Sequence, residues 1–488
     1  MPPNILIYMT DHERGDVLSE GSPCIAPHAA RLAEEGISFR QAYTPAAHCC
    51  PSRATFMTGL YPSRHGVYNN VLTTTRIHSG LKEGVVTFSE RLREVGYHLA
   101  YAGKWHVSAD ENPADRGWEE LDVTAVKGNS HDADLSLWRE GKAAGDLAPG
   151  ERQPGEVLRP GWGNYRLYGS YPTAGPKGHE EHRDYAVVRS AIEALPRLAD
   201  AGQPWVLFVG PSGPHDPYIV PERFVRMYDG IEIPLPPSYH DSLADKPRIY
   251  QRVREQVWSQ LGPEEVREAI KHYYAYCTML DMMFGEVLEA LAATGQSDDT
   301  LVLRISDHGD YGGAHGLFAK GVPAFREAYH VPAIVRWPKG LAQPGRAVEA
   351  FVTHADWAPT FLDLAGLAAP ERTAGRSVLP ILRGETPVDW PDAFHSQFNG
   401  VELYYTQRVT MTHQFKYVYN GFDYDELYDL RNDPHEMRNL SEHPGYQGIK
   451  RELVKRMWRF ADQQRDHLFN RYITVALAPW GPAIALEE

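Results

Sequence analysis

Four compact apolar runs along the chain each end directly in a cluster of polar residues. The runs are residues 4–9, 98–102, 205–209 and 300–305, and their length and flanks predict buried strands. Segments with apolar residues three and four positions apart separate them, most clearly at 272–291. This alternation of strand and helix predicts an α/β fold, in which a large, mostly parallel sheet is sandwiched by helices. The polar clusters should then meet at the carboxyl edge of the sheet, where such folds place their sites.

Two stretches interrupt this pattern, and the last part of the chain departs from it. Residues 122–180 are rich in Gly, Pro, charge and aromatic residues, which predicts loops over the mouth of a site. Residues 245–264 are interpreted as a second polar insertion. From about residue 387 onward, short alternating runs indicate strands, and a final amphipathic helix follows them. We therefore expect a catalytic α/β domain over residues 1–386 and a smaller α+β subdomain with an antiparallel sheet over 387–488.

Composition narrows the classes of partner. The net charge of −15 argues against nucleic acid, because neutralising phosphates requires a basic surface. A small anionic substrate is still compatible, since a pocket can be locally positive on an acidic protein. No apolar run reaches the roughly 20 residues that span a bilayer, so no membrane segment is expected. If Met1 is the native start, the lack of a signal segment predicts a cytoplasmic protein.

The chain has four cysteines, which are too few for a disulfide framework. Cys24 and Cys277 are interpreted as ordinary reduced thiols. Cys49 and Cys50 are adjacent, and adjacent cysteines rarely bridge each other because the geometry is strained. Cys50 is interpreted as a residue that takes no part in the chemistry.

The residues that follow the apolar runs carry a recognisable chemistry. Asp11, Asp307 and His308 stand at predicted strand ends and form a candidate metal site. Aspartate oxygens favour Ca²⁺, Mg²⁺ or Mn²⁺. Cations and proton carriers that we expect at the same sheet edge are Arg53, Lys104, His106, His215 and Lys320. Such groups hold a tetrahedral anion and manage its protons, which indicates hydrolysis at phosphorus or sulfur.

The segment Cys49-Cys-Pro-Ser-Arg-Ala-Thr-Phe-Met-Thr-Gly59 resembles the type I sulfatase pattern Cys-x-Pro-Ser-Arg-x-x-x-(Leu/Met)-Thr-Gly at every specified position. The resemblance extends over almost the whole chain, through Gly103-Lys-Trp-His106, Pro214-His-Asp-Pro-Tyr218, Ser306-Asp-His-Gly-Asp310 and His315-Gly-Leu-Phe-Ala-Lys320. It implies an alkaline-phosphatase-like fold. It also implies that a formylglycine-generating enzyme oxidises Cys49 to formylglycine, whose hydrated aldehyde is the nucleophile.

The resemblance also implies roles for the other residues. The metal would be bound by Asp11, Cys49, Asp307 and His308. Arg53 and Lys104 would steady the hydrated aldehyde, and His106 would be the base that breaks the sulfated enzyme. His215 and Lys320 would hold the sulfate oxygens, with His215 as the acid for the leaving oxygen.

Two positions depart from the commonest family pattern. His12 stands where many members have a second Asp and others Gln, and both a ligand role and a hydrogen bond near the sulfate are open. Many members have Asn at the position of His308. A His there resembles the branch that includes choline sulfatases and phosphonate monoester hydrolases. Family resemblance favours Ca²⁺, while imidazole is more typical of Mn²⁺, so Mn²⁺ or Mg²⁺ are the alternatives.

The leading hypothesis is a sulfuric ester hydrolase that acts on a small-molecule or saccharide sulfate, with a carbohydrate or aryl sulfate favoured. Trp162 and the tyrosines near it are candidates for stacking on such a ring. One alternative is a phosphonate monoester hydrolase or phosphodiesterase with the same nucleophile, and another is an inactive binding homologue. The apolar tail at residues 473–486 is expected to pack on its own chain or on a neighbouring subunit, as in a homo-oligomer.

Overall fold

The computed structural model of the chain describes residues 2–19, 21–74, 76–122, 152–159, 163–401 and 403–487. Parts of the predicted insertion, residues 123–151 and 160–162, lie outside the described residues. The strands are β1 (Asn4–Thr10), β2 (Ile37–Tyr43), β3 (His98–Gly103), β4 (Glu119–Asp122), β5 (Glu156–Arg159), β6 (Gly163–Arg166), β7 (Tyr168–Tyr171), β8 (Trp205–Gly210), β9 (Tyr218–Pro221), β10 (Thr300–Ser306), β11 (Ala333–Arg336), β12 (Arg346–Thr353), β13 (Ala393–Phe398), β14 (Gln407–Thr412), β15 (Phe415–Asn420) and β16 (Glu426–Asp429). The α-helices are Pro27–Glu34, Cys49–Thr58, Pro62–His65, Phe88–Glu94, Arg183–Asp200, Glu222–Arg226, Arg248–Gln256, Pro263–Ala293, Arg326–Tyr329, Trp357–Leu364, Leu379–Leu382, Gln447–Gln463 and Tyr472–Leu477.

The large sheet has the order β12-β2-β11-β10-β1-β8-β3-β4. Strands β10, β1, β8 and β3 are neighbours and run parallel, while β11 is antiparallel to both strands beside it. The predicted mostly parallel sheet is therefore confirmed. The four apolar runs of the sequence are the four adjacent strands β10, β1, β8 and β3 of this sheet.

Each face of this sheet is buried against helices. All seven residues of β1 are buried, as expected for a strand covered on both sides. Leu6 and Tyr8 pack with the long helix Pro263–Ala293, whereas Ile5 and Ile7 pack on the opposite face in a cluster that contains Trp357. Because successive strand residues point to opposite faces, one apolar run supplies both cores.

The second predicted insertion is largely helical. Residues 248–256 form a helix, and the long helix begins at Pro263, nine positions before the apolar pattern becomes clear at His272. Pro263 occupies the first helical turn, where its missing N–H costs nothing. Most of the 248–256 helix is exposed or half-buried, so its sequence is polar and resembles a loop.

A four-stranded antiparallel sheet of order β13-β14-β15-β16 lies in the C-terminal part, as predicted. One face packs on the Gln447–Gln463 helix through Tyr417 and Leu427. On the other face, Val409 and Met411 join the core of the large domain. The boundary that we propose near residue 387 falls just before β13, although the two parts share a core.

The apolar tail packs on its own chain at several points. Ile484 is buried, and the Trp458 indole donates a hydrogen bond to the Trp480 carbonyl at 2.8 Å. Tyr472 and Leu486 remain exposed. Among the helices that the structure describes, none is long and apolar enough to cross a membrane.

A buried ion pair fastens the segment after the Gln447–Gln463 helix to β14. Arg408 Nε and Nη2 donate to the Asp466 carboxylate at 2.6 and 3.0 Å, and both side chains are buried. We expect Asp466→Ala to lower the free energy of unfolding in urea by about 3–5 kcal/mol, because it leaves a buried guanidinium without its partner. Asp392→Ala is the control, since it breaks an exposed pair with Arg456 and should cost below about 1 kcal/mol. Equal losses in the two variants would contradict the prediction.

Candidate active site

The adjacent parallel strands β10, β1, β8 and β3 deliver polar side chains to one edge of the sheet. Thr10 pairs with Ser306 at the end of β1 and β10, so Asp11 and Asp307 follow side by side. Gly103 pairs with Gly210 at the end of β3 and β8 in the same way. The carboxyl ends of parallel strands thus bring together residues that are about 300 positions apart in the chain.

Cys49 is the first residue of the buried helix Cys49–Thr58. The helix ends at Gly59, which adopts a φ of 70°, a conformation that glycine accepts without strain. The Ser52 hydroxyl donates to the Asp307 carbonyl and anchors the first turn beside β10. The helix therefore presents Cys49 at its amino end, where the partial positive charge favours an anion.

Four side chains converge as a metal site would require. One ligand atom from each of Asp11, Cys49, Asp307 and His308 lies within 4.8 Å of the others, and all four residues are buried. His308 Nδ1 donates to the Gly309 carbonyl at 2.9 Å, which leaves the Nε2 lone pair 3.2 Å from Cys49 Sγ. A backbone acceptor on the far nitrogen is the usual way to orient a metal-binding imidazole. These donors fit a divalent cation.

Two cations flank the carboxylates. The Lys104 ammonium pairs with Asp11. Arg53 Nε donates to Asp307 Oδ2 and its Nη1 to the Lys104 carbonyl, both at 2.7 Å. Arg53 Nη2 is buried without a partner among the described residues and remains a donor for another group. The site thus carries positive charge beside its metal-binding group.

The two adjacent cysteines lie in opposite environments. Burial and the Asp11 carboxylate raise the pKa of the Cys49 thiol, but Lys104 and Lys320 and other cations outweigh them and hold it well below its usual value. Burial raises the pKa of Cys50, which contacts Asn70 instead. Cys49 alone therefore has the electrostatic setting of a reactive residue.

His106 is buried beside these cations. Neither ring nitrogen has a hydrogen-bond partner among the described residues. Burial and the charge of Lys104 lower the pKa of His106 to about 4. The ring is therefore neutral at pH 7 and able to accept a proton.

The remaining predicted residues lie on the solvent side. Lys320 Nζ lies 3.2 Å from His215 Nε2 and also contacts His12 Nε2. The His215 side chain is 32% exposed, so this side of the site is open. The predicted catalytic and metal-binding side chains thus gather around one sheet edge.

Several residues of the site escaped the sequence reasoning. Asp310 lies 3.0 Å from His12 Nδ1 and accepts the Tyr218 hydroxyl at 2.7 Å. The Tyr165 hydroxyl donates to Asp216 beside His215. Asp310, Asp216 and Tyr218 lie within the quoted motifs, whereas nothing in the sequence pairs Tyr165 with Asp216. Trp162, proposed as a stacking residue, lies outside the described residues.

An α/β sheet whose edge combines two carboxylates, an imidazole, a buried thiol and several cations is the arrangement expected of a metal-dependent hydrolase of tetrahedral anions. The family model described as "Sulfatase" matches residues 3–367, and one described as "N-sulphoglucosamine sulphohydrolase, C-terminal" matches residues 313–463. The chain belongs to the sulfatase family of the alkaline phosphatase superfamily, a family of metal-dependent hydrolases of sulfate esters.

Relatives span nearly the whole chain. A choline-sulfatase of Rhizobium meliloti is 31% identical over 457 residues, covering 91% of this chain and 83% of that protein. An arylsulfatase of Clostridium perfringens is 28% identical over 487 residues, covering 94% and 95%. The phosphonate monoester hydrolase of Silicibacter pomeroyi shares the fold, with a TM-score of 0.76 at 24% identity over 96% and 97% of the two chains.

Proposed function

We propose that the protein cleaves a sulfate monoester with a formylglycine made from Cys49 by a formylglycine-generating enzyme. The observation that carries the proposal is the position of Cys49. It lies at the amino end of a buried helix, within 4.8 Å of two carboxylates and an imidazole, inside a fully matched sulfatase motif.

The residues around Cys49 divide the steps between them. One hydroxyl of the hydrated aldehyde loses its proton to solvent and attacks sulfur. The bond from sulfur to the alcohol oxygen breaks, and His215 donates a proton to that oxygen. The second hydroxyl then loses its proton to His106, sulfate leaves and the aldehyde returns. Lys104 and Arg53 hold the hydrated aldehyde, and Lys320 binds the sulfate oxygens. Removal of one such charged donor typically lowers kcat by about 10²–10³-fold.

We propose Ca²⁺ as the metal, with Mn²⁺ or Mg²⁺ as alternatives. Asp11, Asp307, His308 and the oxidised Cys49 would hold it. When bound, it supplies positive charge that favours ionised oxygens beside sulfur. Two carboxylates support a hard cation, while the imidazole of His308 supports Mn²⁺.

The substrate that we propose is a small-molecule or saccharide sulfate. The names of relatives support this range, since they include a choline-sulfatase, an arylsulfatase and an N-acetylglucosamine-6-O-sulfatase of Bacteroides thetaiotaomicron that is 24% identical. A phosphonate monoester hydrolase is the second candidate. One support is His308, which resembles the branch that includes phosphonate monoester hydrolases. The other is that a phosphonate and a sulfate ester are tetrahedral anions of similar size, so the same cations can bind either.

Two measurements on protein from its native host test the proposal. Mass spectrometry of the peptide that contains Cys49 should show the mass loss that accompanies conversion of a thiol into an aldehyde. Rates on p-nitrophenyl sulfate, choline sulfate and a sulfated glucosamine, set against a phosphonate monoester, should favour a sulfate. A higher kcat/KM for the phosphonate would make the second candidate correct, and an unmodified Cys49 without turnover would indicate an inactive homologue.

A further inference from the structure

A chain of buried hydrogen bonds runs from Tyr218 to the proposed sulfate-binding lysine. Tyr218 donates to Asp310 Oδ2 at 2.7 Å, and the same oxygen lies 3.0 Å from His12 Nδ1. His12 Nε2 in turn faces the Lys320 ammonium. Tyr218, Asp310 and His12 are fully buried. Their partners are therefore set by one another and not by solvent.

The contacts of Asp310 select one tautomer of His12. Asp310 Oδ1 accepts from the backbone N–H groups of Gly312 and Ala319 at 2.8 and 3.0 Å. In its ionised form, Asp310 accepts from the Nδ1–H of His12. The Nε2 of His12 then carries a lone pair, which suits Lys320 because an ammonium is a donor only.

His215 lies on the other side of the ammonium. Its Nδ1 donates to the Asp216 carbonyl at 2.7 Å, and its Nε2 lies 3.2 Å from Lys320 Nζ. The rings of His12 and His215 are 4.0 Å apart at their centroids. The lone pair of His12 Nε2 therefore fixes the direction of one N–H bond of Lys320, and the ammonium lies between His12 and His215 with its other N–H groups available to the sulfate.

We infer that Asp310 is a positioning residue that acts through His12 to aim the Lys320 ammonium at the sulfate, and that His12 is not a metal ligand. The inference rests on the proposed function, which gives Lys320 its sulfate. The Nε2 of His12 faces the Lys320 ammonium, whose positive charge would repel a cation at the same nitrogen. The opposite hypothesis is that Asp11, His12 and His215, which also form a compact group of ligand atoms, hold a metal. The two hypotheses predict different metal contents.

Asp310→Asn is the decisive variant. Two backbone donors hold the Oδ1 position, so the amide NH₂ takes the Oδ2 position and faces His12 Nδ1. The ring must then accept from the amide at Nδ1 and carry its proton on Nε2. This N–H faces the Lys320 ammonium, and the two groups cannot form a hydrogen bond because both are donors. We expect kcat/KM on a sulfate ester to fall about 10²-fold. The affinity for inorganic sulfate should fall about tenfold, while the metal bound per chain is unchanged.

Two further sets of variants separate positioning from stability. Asp241→Asn is the matched control, because Asp241 Oδ2 lies 2.7 Å from His315 Nδ1 in another buried pair. It should lower the Tm without changing sulfate affinity. His12→Gln keeps an acceptor that can reach Lys320, whereas His12→Asn keeps only a donor to Asp310. The glutamine variant should therefore retain more sulfate affinity than the asparagine variant.

Metal content and sulfate affinity together distinguish the two hypotheses. Loss of bound metal in His12→Gln would make His12 a ligand and overturn the inference, as would wild-type sulfate affinity in Asp310→Asn. If Asp310→Asn does not fold, the same two measurements on the His12 variants distinguish positioning from metal ligation. Failure of the proposed function looks different, because the wild-type protein itself would then hydrolyse no sulfate ester.

Discussion

Replacing Cys49 with alanine is expected to lower kcat on a sulfate ester by roughly 10⁶-fold, the scale seen when an enzyme loses its nucleophile. Alanine offers no oxygen to attack sulfur, and the charges of Lys104 and Arg53 can bind the ester without cleaving it. The measurement is a turnover assay of both proteins made in the native host. Cys50→Ala is the matched control, because Cys50 is equally buried but lies outside the metal-binding group.

Cys49→Ser separates attack from release. A serine hydroxyl can attack sulfur once and expel the alcohol, but it has no second hydroxyl with which to release sulfate. We expect turnover to be lost as in the alanine variant, with covalent sulfate visible on the Cys49→Ser peptide by mass spectrometry and absent from Cys49→Ala. Full turnover by the serine variant would show that the hydrated aldehyde is not needed. Turnover by Cys49→Ala at the rate of Cys50→Ala would remove Cys49 from the mechanism.

The strands that carry the site were predictable, and their order was not. Asp11 and Asp307 each follow an apolar run directly, and a run buried on both faces has few other interpretations than a central parallel strand. The pairing of β10 with β1, and of β8 with both β1 and β3, joins segments that are mostly hundreds of residues apart. No local pattern encodes that order, because it depends on how the intervening helices pack.

The partners of individual side chains were also beyond the sequence. His12 has a φ of 73°, which turns it away from the strand and toward Asp310. A positive φ is rare for a non-glycine residue, so nothing in the residue type announces it. The pairing of Tyr165 with Asp216 likewise depends on where an insertion folds back over the site. Residue types at strand ends could be interpreted from the sequence, and the hydrogen bonds among them could not.

Asp307→Ala is expected to abolish metal binding and, with it, activity. Asp307 supplies one of two carboxylates in the metal-binding group, and its loss also leaves the buried Arg53 without its partner. Metal analysis of the purified protein should show the loss directly. Asp281→Asn is the control. Asp281 is also a buried carboxylate, but it lies outside the metal-binding group and accepts hydrogen bonds from backbone N–H groups of another helix. It should retain the metal, and a variant at 307 that also retains it would exclude Asp307 as a ligand.

The pKa of Asp307 determines how we expect metal binding to depend on pH. Burial and the neighbouring Asp11 raise the pKa of Asp307 above that of an ordinary aspartate. A ligand must be deprotonated to bind, so protons compete with the metal as the pH falls toward this raised pKa. Metal affinity should therefore start to fall at a higher pH than for an unperturbed carboxylate, and titration of metal-depleted protein with Ca²⁺ and with Mn²⁺ from pH 8 downward measures it. An affinity that is independent of pH would contradict ligation by Asp307, because a protonated carboxyl cannot bind the metal.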